Sequence, residues 1–138
     1  MHIAQQIRKM LVSGSYFYAP NDETMIRNLQ ASRMKAKADL DVLSNQRAAP
    51  HEINGQRIEI YFSSLVLVTF GDKEAIEDVL AMYTYMPRPI QGVGHYITQL
   101  LPLPEIFRDI PANLEWLRKN QERLEWVPEQ ELFVLSDA

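Results

Sequence analysis

Apolar positions recur at helical spacing over much of the chain. In residues 2–13, Ile3, Ile7, Met10 and Leu11 share one face, and Gly14 is placed to end the helix. A longer stripe of Met25, Leu29, Ser32, Ala36, Leu40 and Leu43 steps by 4, 3, 4, 4 and 3, which predicts a helix over roughly 22–45. Pro20-Asn21-Asp22 supplies the turn and the N-cap, with Asp22 and Glu23 at the positive end of the helix dipole. Between these two helices, Tyr16-Phe17-Tyr18 reads as an edge strand or an ordered connector.

Arg57 to Phe70 departs from this period. It is the most apolar and most β-branched run in the chain, and Gly71-Asp72 cuts it off. One parity carries Ile58, Ile60, Phe62, Ser64, Val66, Val68 and Phe70, and from Leu65 onward the other parity is apolar too. This pattern predicts the centre of a sheet, with Ser63-Ser64 as a bulge, bend or tight turn. Pro50 and Asn54-Gly55 place a loop and turn ahead of it. After it, Asp72 is an N-cap for a helix whose buried side is Ile76, Val79, Leu80 and Tyr83, ending at Met86-Pro87.

The C-terminal half is less regular. Residues 87–111 hold five of the eight prolines yet stay rich in apolar side chains, so they read as a packed, ordered excursion. A short helix or strand is expected near 95–101 and a turn of helix around 104–109. A last helix from Pro111 to about 125 buries Ile110, Leu114, Leu117 and Leu124 and exposes the pairs Glu115/Lys119 and Arg118/Glu122. Trp116 points away from that stripe, and Leu132 to Leu135 reads as a final strand. The fold expected is α+β: a small antiparallel or mixed sheet centred on residues 57–70, packed by four to five helices, in a single globular domain spanning 1–138.

Composition narrows the chemistry more than the fold. Hydrophobic residues are 46% and charged residues 23% of the chain, an ordinary globular balance. The absence of cysteine excludes a disulfide framework, thiolate zinc and a Cys nucleophile, and fits a reducing compartment. No apolar core of a signal peptide and no run of roughly 20 apolar residues is present, so a cytoplasmic protein with no membrane span is expected. The net charge of −4 is uneven: residues 1–57 sum to +3 and residues 58–138 to −7. Arg27, Arg33, Lys35 and Lys37 invite a nucleic-acid reading of helix 22–45, but Asp39 and Asp41 interrupt them and the basic side chains fan round the helix.

No phosphate-binding loop, serine elbow, metalloprotease helix or calcium loop occurs. Gly92-Val93-Gly94 lacks the third glycine and the preceding strand of a dinucleotide fingerprint. His2, His51 and His95 lie far apart in sequence, which gives no metal site, and no cofactor is implied. His95, close to Arg88 and Tyr85, is the one histidine in a site-like setting. Exposed Tyr and Trp suit protein contacts.

These features favour a non-catalytic protein-binding domain, an inhibitor, immunity-type or regulatory partner of another chain or of its own copies. The binding candidates are Tyr85, Arg88, His95, Tyr96 and Trp116, with no catalytic set. The alternative is a small enzyme or ligand-binding domain whose 87–104 segment covers an anion-accepting pocket built on Arg88 and His95. Nucleic-acid binding through helix 22–45 ranks third.

Overall fold

The computed structural model describes residues 2–11, 21–102 and 108–136. These form six α-helices and a two-stranded antiparallel sheet, an α+β arrangement dominated by helix. In chain order they are α1 (Ile3–Leu11), α2 (Asp22–Asn45), α3 (Pro50–Val68), α4 (Glu74–Tyr83), α5 (Arg88–Gly94), a 3₁₀ turn (His95–Gln99), α6 (Ile110–Asn120), a second 3₁₀ turn (Gln121–Arg123), β1 (Leu124–Val127) and β2 (Leu132–Leu135).

The expected sheet at 57–70 is instead the second half of α3. Pro50 stands in the first turn of that helix, where its missing N–H costs nothing, and Asn54-Gly55 lies inside it. Between residues 60 and 69 every position but Phe62 is buried. A helix enclosed on all sides shows neither a stripe nor an alternation, so its sequence resembles a buried strand. β-branched content did not decide the outcome, because burial among neighbouring helices outweighs intrinsic propensity. The segment's length was the better signal, since fourteen residues exceed a typical strand of about five or six.

α3 ends in a Schellman closure: Asp72 N donates to Leu67 O at 3.1 Å and Gly71 N to Val68 O at 3.0 Å. Gly71 holds φ +94, and a Cβ there would lie 2.6 Å from Cγ of Trp126. α2 closes in a related way, Ala48 N donating to Leu43 O at 3.1 Å, with Arg47 in the left-handed conformation (φ 54).

α2 and α4 pack against α3, and the core cluster runs from Ala4 and Ile7 of α1 to Leu124 and Phe133 of the hairpin. The stripe on α2 is where the spacing puts it: Leu29 and Ala36 are buried, and Met25, Leu40 and Leu43 are half-buried. Asn21 caps that helix, its Oδ1 accepting from Thr24 N at 2.8 Å. On α1 the inward line is Ala4 and Ile7, whereas Met10 is 47% exposed. Arg33 of α2 is buried and donates to Asp78 of α4 at 2.5 Å, and Lys37 reaches the other oxygen of the same carboxylate at 3.1 Å.

The sheet lies at the C-terminal side. Leu132 to Leu135 is a strand as expected, but its partner is 124–127, which the periodicity assigns to the end of the last helix. That helix stops at Asn120; Asp109 caps it at Ala112 N (3.1 Å), and the Glu115–Lys119 pair forms at 3.0 Å. Arg118 pairs with Glu77 of α4 at 3.6 Å rather than with Glu122. Trp126 and Phe133 face each other across the ladder with ring centroids 5.0 Å apart. Arg8 of α1 joins three parts of the fold. It donates to Thr69 O at the end of α3 (2.6 Å), pairs with Glu131 in the hairpin turn (3.2 Å) and lies 4.3 Å over the Phe70 ring. The excursion near 95–101 is the 3₁₀ turn preceded by α5. Tyr16 to Tyr18, Gly14 and most of the 104–109 turn lie outside the described residues.

Two sets of variants test this architecture in urea unfolding. Gly71→Ala should lose about 1–3 kcal/mol or more, because it combines a left-handed φ with contact on the indole. Gly55→Ala should gain about 0.5–1 kcal/mol, since it removes glycine from an exposed helix interior with open space around it. If Asn54-Gly55 were a turn, Gly55→Ala would destabilise instead. Asp78→Ala should cost about 3–5 kcal/mol by stranding the buried Arg33, and the double variant Arg33→Met/Asp78→Leu should recover most of that loss.

Candidate functional site

Residues 83–99 bring several of the expected site residues to one part of the surface without gathering them into one pocket. Tyr83, at the end of α4, and His95, opening the 3₁₀ turn, are hydrogen-bonded between Oη and Nε2 at 2.8 Å, with their rings edge to face. α5 holds this geometry, because Gln91 Nε2 donates to the Tyr83 carbonyl at 3.1 Å. Burial raises the Tyr83 phenol above its ordinary pKa. Behind it, Tyr61 of α3 is fully buried and its hydroxyl has no hydrogen-bond partner in the structure. Desolvation, with a smaller contribution from the Tyr83 phenol, raises Tyr61 well above the usual tyrosine range.

Arg88 opens α5 and is exposed. It lies seven residues before His95, which is two helical turns or about 10 Å along the axis. Neither residue lines the cleft beside α2 and α4, the cleft between α2 and α3 or the groove beside α1. Both residues are exposed, and the imidazole of His95 already has the Tyr83 hydroxyl as a partner. Tyr85 is 52% exposed, and the Arg57 guanidinium lies 3.8 Å from its ring centre, a surface cation–π contact. Trp116 is half-buried and packs against the core from α6.

Tyr96 has the most site-like position. It is 43% exposed and lines a groove of about 720 Å³ between α1 and the 3₁₀ turn, opposite Ile3, Ile7 and Met10. Gln6, Lys9 and Gln99 complete the described lining. The groove exists because α1 buries Ala4 and Ile7 and turns Met10 outward, while the 3₁₀ turn sends Ile97 into the core and Tyr96 to the surface. The aromatic content of the segment pointed to Tyr96, but periodicity placed Met10 on the buried face, so the second wall went unseen.

The basic side chains of α2 are already engaged. Arg27 pairs with Glu23 at 3.6 Å, Lys35 with Asp39 at 3.0 Å, and Arg33 and Lys37 with Asp78. Among the described residues no group of three or more His, Cys, Asp or Glu side chains could hold a metal ion. No helix among the described residues is long and apolar enough to cross a membrane. No family model matches the chain, and neither a curated protein nor a solved structure matches it.

The buried phenol gives a pH-dependent prediction. Tyr61 is neutral in both folded and unfolded chains below about pH 10, so its contribution is intact there. Above that value the unfolded chain ionises first, and stability should fall as pH rises. Tyr61→Phe should remove that part of the alkaline loss. At pH 7 it should leave stability unchanged or raise it by up to about 1 kcal/mol, since the hydroxyl has no partner to lose. Urea midpoints of both proteins at about pH 7 and pH 11 decide it; a clear loss at pH 7 would reveal a bonded hydroxyl.

Proposed function

We propose that the chain is a non-catalytic protein-binding domain that takes an apolar segment of a partner, as an inhibitor or regulatory subunit does. The observation that carries this reading is the groove between α1 and the 3₁₀ turn. Its described lining sets Ile3, Ile7, Met10 and Tyr96 among Gln6, Lys9 and Gln99, and Met10 and Tyr96 both present roughly half of their surface to solvent. Apolar and aromatic area accompanied by polar groups is the composition of a protein contact. A flexible methionine facing a rigid tyrosine supplies adaptable and anchoring contact area together.

Lys9 is the only side chain in the described lining that is charged at neutral pH. The reading therefore specifies the partner segment: two or more apolar side chains spaced to enter the groove, flanked by a carboxylate that meets Lys9. The anion-pocket reading has less support, since Arg88 and His95 are both exposed to solvent. The nucleic-acid reading draws on cations that carboxylates already occupy.

Panning a displayed peptide library against the chain tests the reading. A consensus of apolar residues beside an acidic one is expected. Its affinity should fall at least tenfold in Met10→Glu and in Tyr96→Ala, and should stay unchanged in Tyr85→Ala. Selection without a consensus, or binding indifferent to the two groove substitutions, would refute it.

A further inference from the structure

Beyond its buried stripe, α2 carries a second apolar line. Ala31, Met34, Ala38 and Val42, spaced by three, four and four, all face solvent, with Met34 58% and Val42 52% exposed. At about 100° per residue this line lies on the side of the helix opposite Leu29, Arg33 and Ala36. The helix has 24 residues, about 36 Å of length, so both lines run along a rigid rod. The ends of the outer line carry opposite charge: Arg27 lies one turn before Ala31, and Asp41 adjoins Val42.

We infer that this outer face pairs with α2 of a second copy of the chain, antiparallel, with the two-fold axis at the level of residue 36. Size and charge both choose this arrangement. In that register Met34 of each copy lies against Ala38 of the other, a large side chain in the space left by a small one. Arg27 of each copy comes within one turn of Asp41 of the other. Parallel pairing would set Arg27 against Arg27 and Asp41 against Asp41, which is repulsive. A single pair of helices buries less than the roughly 800 Å² per partner of a standard interface. The dimer is therefore concentration-dependent, with a dissociation constant in the micromolar range. This surface is separate from the α1 groove, and the inference stands or falls independently of it.

Sedimentation equilibrium of the full chain between about 1 and 200 µM should show monomer and dimer, and Met34→Lys should weaken the dimer at least tenfold with an unchanged helical circular-dichroism signal. The cysteine-free sequence allows a single nitroxide to be placed at Asn45→Cys. Antiparallel pairing separates the two labels by about 27 Å along the axis plus an interhelix spacing of about 10 Å, giving a distance near 30 Å. Parallel pairing would bring them within about 15 Å. A chain that stays monomeric throughout, a dimer unaffected by Met34→Lys, or the short label distance would each overturn the proposal.

Discussion

The burial of the second half of α3 sets the terms for everything around it. From Ile60 to Thr69 only Phe62 keeps appreciable exposure, so this backbone has almost no water to bond with. A strand in that position would need hydrogen-bonding neighbours on both edges, whereas a helix satisfies its own amides and carbonyls along its length. The fold needs no central sheet for this reason. Helices α2 and α4 cover α3, while Ile60, Tyr61, Leu65, Val66, Leu67 and Val68 each contribute about 1.5–3 kcal/mol by leaving water. The enclosure also has a cost, since Tyr61 Oη and Ser64 Oγ are buried without partners.

That enclosure explains what could and could not be read from the residues. Helices with one wet face declare themselves: α2 and α4 follow their apolar spacing, and Asn21 and Asp109 cap α2 and α6 as short polar side chains do. The α+β class was legible, and so was the strand at Leu132 to Leu135. The location of the sheet was not, because α3 lacks a wet face and β1 is only four residues long. Leu124 satisfied a helical stripe equally well as a strand's inward residue, and no local feature separated the two. Asn54-Gly55 was misleading for a related reason: a strong turn signal is overridden when the residues on either side gain more from a continuous helix.

The candidate surfaces show the same division. Tyr96 was recognisable as an amphipathic side chain in an ordered, proline-rich stretch, but a groove has two walls, and Met10 belongs to an element more than eighty residues away. His95 was recognisable as unusual from its neighbours Arg88 and Tyr85, while its hydrogen bond to Tyr83, twelve residues earlier, was not. The outer line of α2 was present in the spacing of Ala31, Met34, Ala38 and Val42. Finding one apolar stripe on a helix gives no cue to a second, and two of its four members are alanines.

Arg8 bears on how the chain acquires its structure in time. Its partners are Thr69, Phe70 and Glu131, so one side chain near the start bonds to a turn that emerges 123 residues later. During synthesis α2, α3 and α4 can associate through contacts close in sequence, but this three-way junction cannot close until the hairpin has left the ribosome. Closing a loop of that length adds only a slowly growing entropic cost, so the delay comes from the order of emergence rather than from the energetics of the finished contact. α1 can thus meet the end of α3 early, through Thr69 and Phe70, but it is locked there only when Glu131 arrives.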